Sequence, residues 1–481
     1  MRLFLKYLTI LVLTAGWAHA QSQATEQTGK SAETGGAQAA GSAPDLGYIP
    51  QAGSAPDSEA NADSADPVTP WLPAPMNGEA PTAALLGELE RSNELSGGVT
   101  VTGGYDDNAL EENGRPVDNA TVSFMPTLSI TQSRPRTLLD FSYFPGFTVS
   151  QASQLNTSTE AGRLNFQYRI TKYWTLRAHD TFSSTNDPYG TVAEGNNSVP
   201  GSVLHQPSDS VLTPFVNRIS NTAGLDLVYQ LGAVSMVGGS GTSDLLTYNN
   251  VDGGPGVQLI DSRSEGGEFF YTRRLFPKQW IGLTYSYQRF TFSGGVEESD
   301  AHTALLFYTI SIQRHLTLSL YGGAAYAMTD GEIAVLRSVT IPASSNQWLP
   351  NEGFTLEWQG LHTGMSASFS RGLSGGGGLF GTADRYNGAC TVHHQFRPHW
   401  SANAGFSYDN DRPINLASGP EFRTVAGNVG LEHQLGEHLD FGATYSRVHQ
   451  IYAGLTAAEL FPDHNRAFLS VSYLFHRPLG R

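Results

Sequence analysis

Apolar and polar residues alternate with a period of two through most of the chain beyond Leu95. The last such segment, 467–475, has Ala, Leu, Val, Tyr and Phe at its odd positions and mostly small or polar residues between them. Successive side chains of a β-strand point to opposite faces, so this segment predicts a strand with one apolar face. Segments 281–288 and 439–446 repeat the pattern, and their second face is small and polar. No useful window shows a helical period, which predicts an all-β fold.

The connections between these segments alternate between short and long. Turns such as 171–174 and 276–279 are short. The polar connections between them, such as 330–346, are long, and the longest is 187–221. Short turns at one rim and long loops at the other are typical of an outer-membrane barrel rather than a soluble sandwich. Trp174 and Trp400 beside short turns are consistent with an aromatic girdle. We therefore predict a closed antiparallel transmembrane β-barrel of about 18 strands, an even number that places both termini in the periplasm.

Four positions fit this pattern poorly. Pro350 interrupts the weakest segment, 347–358, whose loss would break the interleaving of turns and loops. Asp180 stands among apolar positions, which predicts a bulge or an inverted face. Pro126 and Pro145 lie inside strands, where a missing N–H predicts bulges or rim positions because a closed barrel has no free edge.

The first 92 residues have a different composition. Residues 1–20 read as a secretory signal peptide, with basic residues, an apolar run and an Ala-His-Ala cleavage site at 18–20. Residues 21–92 are rich in Ala, Gly, Ser, Pro and acids, which predicts a disordered periplasmic tether. The barrel would then occupy 93–481. The formal net charge of −16 does not resemble the basic footprint of a nucleic-acid-binding protein.

A barrel of 16 to 18 strands leaves an aqueous channel unless something fills it. The long loop 187–221 is the candidate constriction, with a mobile surface loop as the alternative, and Glu194, Asp209 and Arg218 are the charged residues in it that could bias ion passage. Charged positions on the polar faces of strands form a second group of lumen candidates. These are Asp140, Arg169, Asp226, Glu268, Glu432 and Asp440.

The sequence contains only weak motif matches for catalysis. Residues 372–376 fit G-x-S-x-G and 376–381 fit G-x-G-x-x-G, but both lie in a glycine-rich loop without the helix that either motif requires. His393 and His394 are adjacent on a predicted strand and therefore point to opposite faces, a poor geometry for a metal. Cys390 is the single cysteine and is interpreted as a packing residue. We predict no enzyme, no cofactor and no metal site.

Short motifs at strand ends carry a resemblance to a known family. The opening strand ends in Gly-Tyr-Asp-Asp-Asn at 104–108, and two later strands end in Ala-Ser-Phe-Ser-Arg at 367–371 and Ala-Thr-Tyr-Ser-Arg at 443–447. With the signal peptide and acidic tether, these resemble the β-barrel porin 2 group of outer-membrane proteins over about residues 95–475. The resemblance implies a barrel in the outer membrane, and some members of that group accompany exopolysaccharide export.

The pattern as a whole predicts a passive diffusion pore for small polar solutes or ions. The alternatives are a barrel accessory to exopolysaccharide export and a non-conducting structural or adhesive surface barrel. Expected partners are outer-membrane lipid, the barrel-assembly machinery through the C-terminal strand, and a second copy in a homo-oligomer. Six residues follow Phe475, which departs from the usual ending on a terminal aromatic.

Overall fold

A computed structural model describes the chain from residue 93 onward, with gaps. The described ranges are 93–109, 117–151, 156–186, 217–249, 259–293, 297–313, 315–336, 339–378, 381–414, 421–453 and 463–479. The predicted signal peptide and tether, residues 1–92, lie outside them. Within the described ranges, no helix is long and apolar enough to span a membrane.

The described residues form a single sheet of 18 strands. In chain order the strands are β1 Asn93–Asp106, β2 Asn119–Arg134, β3 Thr137–Ser150, β4 Thr157–Arg169, β5 Trp174–Thr185, β6 Asn217–Gln230, β7 Ser235–Asn249, β8 Ser262–Phe276, β9 Gln279–Phe292, β10 Glu297–Gln313, β11 Leu316–Leu336, β12 Val339–Gln359, β13 Thr363–Ser374, β14 Ala383–Arg397, β15 Trp400–Pro413, β16 Glu421–Leu435, β17 Leu439–Ala453 and β18 Asp463–Pro478. Each strand pairs with its sequence neighbours, and β1 also pairs antiparallel with β18. The predicted closed antiparallel barrel of about 18 strands is confirmed.

The closing pair extends further than the sequence predicted. β1 and β18 are in register from Asp106↔Arg466 to Glu94↔Pro478, so three of the six residues after Phe475 belong to the sheet. His476 Nδ1 lies 2.7 Å from Glu94 Oε1 within this extension. Closure leaves no exposed sheet edge along the paired length, which removes a route to aggregation.

The two faces of the wall differ as the alternation predicts. On the outward face, large apolar side chains such as Phe124, Leu283 and Leu469 are exposed. The inward residues beside them are small, and Ser123 and Thr284 are buried. Near the short turns, aromatic rings contact each other across neighbouring strands. The pairs are Trp174 with Tyr229, at 4.6 Å between ring centroids, and Trp400 with His433, at 4.1 Å.

The prediction that Pro126 and Pro145 occupy bulges or rim positions is wrong, since both lie in the middle of their strands. The β2–β3 ladder is interrupted between Phe124↔Phe147 and Leu128↔Tyr143, and it resumes in the same register. Proline has no N–H to donate, so a ladder bond is lost, but no extra residue is inserted to create a bulge.

Asp180 occupies neither a bulge nor an inverted stretch, so that prediction is also wrong. β5 is in register with both neighbours here, where Asp180 pairs with Leu164 of β4 and Ala223 of β6. Its side chain lies on the outward face, and Asn221 Nδ2 donates to its Oδ1 at 2.8 Å. A partner on the next strand therefore satisfies this carboxylate on an otherwise apolar face.

Strands β11 and β12 are longer than predicted. The sequence predicted a loop over 330–346, but both strands have 21 residues and form one hairpin up to Leu336↔Val339. The weak strand 347–358 is confirmed inside β12. Pro350 pairs with Ala324 of β11, and it lies beyond the last residue that pairs with β13. Proline is tolerated there because that edge of β12 has no ladder partner.

Candidate pore interior and mouth

The barrel wall divides between β12 and β13 near the long-loop rim. Their ladder ends at Glu352↔Arg371, although β12 continues to Val339 and β13 continues to Ser374. β13 stays paired with β14 through Ser374↔Ala383. The two strands therefore separate from β12 together while remaining hydrogen-bonded to each other.

Leu373 shows where the separated strands go. By alternation it shares the outward face with Arg371, yet only 3% of it is exposed. It belongs to an apolar cluster whose other members come mainly from the inward faces of β9, β10 and β11. These are Phe290, Phe292, Ala301, Ala325, Ala327 and Ile414. Since the outward side of β13 contacts the inward side of other strands, the end of β13 lies inside the barrel.

The described residues 372–378 and 381–382, here called the mouth segment, continue from this point. Gly376, Gly377 and Gly378 have φ angles of 52°, 60° and 86°. Glycine adopts this left-handed conformation at little cost because it has no Cβ. At Gly378 an added Cβ would also lie 2.3 Å from Cε2 of Tyr248. The glycine run is thus required both by the backbone conformation and by close packing.

Hydrogen bonds fasten the mouth segment to strands well away from β13. The hydroxyl of Tyr248, at the end of β7, donates to Gly377 O at 2.7 Å in a buried contact. Ile260 N, just before β8, donates to Gly378 O at 2.8 Å. Thr382 N donates to Oε1 of Glu297, the first residue of β10, at 2.7 Å. The segment therefore extends inward across the lumen near the long-loop rim and narrows the mouth of the barrel.

A network of charged residues lies beside the mouth segment on the inward faces of β14 and β15. Ser374 Oγ donates to Asp411 Oδ1 at 3.2 Å, and Arg385 Nη2 donates to Asp409 Oδ1 at 2.6 Å. Asn387 Nδ2 donates to the same Asp409 oxygen at 2.8 Å. Buried charges need such partners because desolvation alone would strongly disfavour them. The network fixes the orientation of the two strands that carry the mouth segment.

The residues of the predicted constriction loop are only partly described. Glu194 and Asp209 lie outside the described residues, so constriction by 187–216 stays a prediction. Arg218 is not in a loop, because β6 begins at Asn217. Its side chain is buried on the inward face.

The six charged strand positions proposed for the lumen all lie on inward faces by alternation and register. They are Asp140, Arg169, Asp226, Glu268, Glu432 and Asp440. Asp140 Oδ2 accepts a 3.3 Å hydrogen bond from Thr131 Oγ1, and Glu432 Oε2 accepts one of 3.2 Å from Ser401 Oγ. Their influence on ion passage stays a prediction.

Reactive residues show no catalytic geometry among the contacts described. Ser374 of the G-x-S-x-G match donates to the carboxylate of Asp411, and a carboxylate partner does not supply the histidine base of a nucleophile elbow. His394 Nδ1 lies 2.7 Å from Thr363 Oγ1 on the outward face, whereas His393 lies on the inward face. Within the described ranges, no group of three or more His, Cys, Asp or Glu residues is arranged to hold a metal ion.

Comparison with protein-family models gives no match, and comparison with curated proteins gives none either. Solved structures do match. The ferric citrate transporter FecA is 12% identical with a TM-score of 0.40, and the match covers 80% of this chain and 64% of FecA. The chain thus spans less than two thirds of that protein. The outer membrane protein OpdK of Pseudomonas aeruginosa is 11% identical with a TM-score of 0.37, and the match covers 80% of this chain and 99% of OpdK. The siderophore receptor PiuA of Acinetobacter baumannii is 9% identical with a TM-score of 0.40, and the match covers 80% of this chain and 82% of PiuA. Identities this low say nothing about a solute or a partner.

Proposed function

We propose that this chain is an outer-membrane β-barrel that acts as a passive diffusion pore for small polar solutes or ions. The observation that carries the proposal is the contrast between the two faces of a closed wall. Apolar side chains such as Leu283 and Leu469 are exposed outward, and polar ones such as Ser123 and Thr284 face inward. In lipid every backbone polar group needs an internal partner, and a closed barrel provides one without free edges. A polar interior is what a hydrated path requires.

The proposed orientation follows from the termini. The start of β1 and the end of β18 pair at the same rim, where the short turns also lie. With the predicted signal peptide and periplasmic tether, this rim faces the periplasm and the long-loop rim faces outside. The mouth segment then lies at the external end of the pore.

The mouth segment is the proposed narrowest part. Its backbone is fastened to Tyr248 and to Glu297, and its flank packs on the apolar cluster around Leu373. A solute would pass beside it along inward faces that carry both acidic and basic side chains. Movement would follow the concentration gradient.

Conductance in a planar lipid bilayer tests the pore. Purified, folded protein is expected to produce stepwise ion currents at constant voltage. A change in electrophoretic mobility when the sample is heated would show that the added protein was folded. A silent bilayer with folded protein would refute the pore, whereas a protein that is soluble and monomeric without detergent would refute the membrane barrel itself.

A non-conducting surface barrel is the second candidate, and the apolar cluster at the mouth favours it. Phe290, Phe292 and Leu373 are nearly inaccessible to solvent, so this part of the lumen is packed rather than hydrated. If the packing extended across the whole mouth, no current would flow. The same bilayer measurement decides between the two candidates.

A further inference from the structure

Three arginines gather on the outward faces of β13, β15 and β16 near the long-loop rim. Arg371 and Arg412 lie over the ring of Tyr386 on β14, with their guanidinium carbons 4.6 Å and 5.2 Å from its centroid. Arg423 lies next to Arg412 through a shared partner, Glu421. We call the three arginines and Tyr386 the arginine patch.

Two carboxylates orient the patch. Arg371 binds Asp384 through two hydrogen bonds, Nε to Oδ1 at 3.2 Å and Nη2 to Oδ2 at 2.8 Å. Glu421 Oε1 accepts from Arg412 Nε at 2.8 Å and lies 3.0 Å from Arg423 Nη2. Arg412 and Arg423 share one carboxylate, Glu421, so these three residues carry a formal charge of +1 (2 − 1). Arg371 is paired with Asp384 and also lies opposite Glu352 across the β12–β13 ladder.

Arg412 and Arg423 are the most exposed of these five charged residues, whereas the Arg371 side chain is only 20% exposed. The side chains of Arg412 and Arg423 are 47% and 37% exposed, whereas those of Glu421 and Asp384 are 24% and 9% exposed. The carboxylates of Glu421 and Asp384 therefore lie beneath the patch. The guanidinium groups of Arg412 and Arg423 form its outer surface.

The height of the patch matches the headgroup region of a membrane. Arg412 lies 12 residues (412 − 400) beyond Trp400 on the same face of β15. At roughly 3.4 Å per residue and a strand tilt of about 40°, that is about 30 Å along the barrel axis. The apolar band of an outer-membrane barrel is about 25 Å tall. Arg412 consequently lies just beyond the hydrocarbon when Trp400 marks its other boundary.

We infer that the arginine patch binds a phosphate group of a phosphorylated glycolipid in the external leaflet. A guanidinium presents paired N–H groups that match phosphate oxygens, and several arginines on one surface can bind the same phosphate. Tyr386 keeps two of them side by side without neutralising them. A lipid headgroup is the occupant because the patch faces outward from the wall at headgroup height. The inference uses the proposed orientation and is independent of whether the pore conducts.

Binding of a diphosphorylated disaccharide glycolipid to the full barrel in neutral detergent tests this, with bound lipid counted by native mass spectrometry. The parent protein should bind saturably. The variant Arg412→Gln with Arg423→Gln should bind about tenfold or more weakly, because the charged hydrogen bonds from both guanidinium groups to the phosphate are lost. Arg397→Gln is the control for Arg423→Gln alone, because both remove one positive charge, and Arg397 is an exposed arginine at the opposite rim of β14.

Two further binding measurements show whether the protein recognises the phosphate of a lipid, the rest of the glycolipid or any free anion. The dephosphorylated glycolipid should bind far more weakly than the phosphorylated form, and inorganic phosphate should not compete at equal concentration. Equal binding of the two glycolipids would overturn the inference, as would a loss in Arg397→Gln equal to that in Arg423→Gln. Competition by inorganic phosphate would reduce the patch to an adventitious anion site. If the double variant does not fold, Arg423→Gln alone serves, and unchanged binding by that folded variant refutes the role of the patch.

Discussion

Replacing Gly378 by alanine should loosen the mouth segment. An L-residue in the left-handed region costs about 1–2 kcal/mol, and Gly378 has a φ of 86°. The new Cβ would lie 2.3 Å from Cε2 of Tyr248, so either the ring or the segment must move. Movement would break the buried bond from the Tyr248 hydroxyl to Gly377, which contributes about 1 kcal/mol. The packed position of the segment should lose roughly 2–3 kcal/mol in total.

This loss changes how often the segment leaves its packed position. At about 1.4 kcal/mol per factor of ten, the displaced population should rise roughly 30- to 140-fold. Single-channel recording should then show higher mean conductance, or frequent steps to a larger level, because the displaced segment no longer narrows the mouth. Gly103→Ala on β1 is the matched control, since nothing lies within 4 Å of a Cβ there. Conductance and current noise in Gly378→Ala that equal those of the control would refute the reasoning.

Two further predictions concern the wall and the long loop. Replacing both Asp180 and Asn221 by leucine should raise the free energy of unfolding by about 1 kcal/mol, because a charge leaves the outward face and neither partner remains unsatisfied. A denaturant titration in detergent checks this, and a lower midpoint with an unchanged slope would contradict it. Removing residues 190–216 should raise single-channel conductance if the long loop shares the constriction. Unchanged conductance in a folded deletion variant would assign the narrowing to the mouth segment.

Much of the fold could be predicted because a barrel strand repeats one local rule. Alternation along segments such as 281–288 and 439–446 depends only on neighbouring residues, and the spacing of turns and loops gives the strand number. The length of each strand beyond the apolar band was harder to predict, because a strand end rich in polar residues resembles a loop in sequence. The β11–β12 hairpin and the extension of β18 past Phe475 are such cases. Their residues join the sheet because a partner strand continues beside them.

The candidate site could be predicted only in part. Inward charges such as Asp140 and Glu432 follow from alternation, which fixes the face of every strand residue. The mouth segment left one visible signal, the glycine run at 375–378, and the sequence suggested only a glycine-rich loop there. Nothing local to that run indicates that Tyr248, 129 residues before Gly377, and Glu297, 85 residues before Thr382, provide its anchors.

The sequence by itself therefore determined the wall of the barrel. The tertiary structure decided which segment leaves that wall and occupies the interior. Strand pairing between chain neighbours is a local property, so period and spacing are enough to specify a closed sheet of about 18 strands. The separation of β13 from β12 depends on a competition between ladder bonds along the wall and burial of Leu373 in the apolar cluster that contains Phe290 and Ala325. That competition joins residues from distant strands. Its outcome becomes visible only when closure brings those strands together.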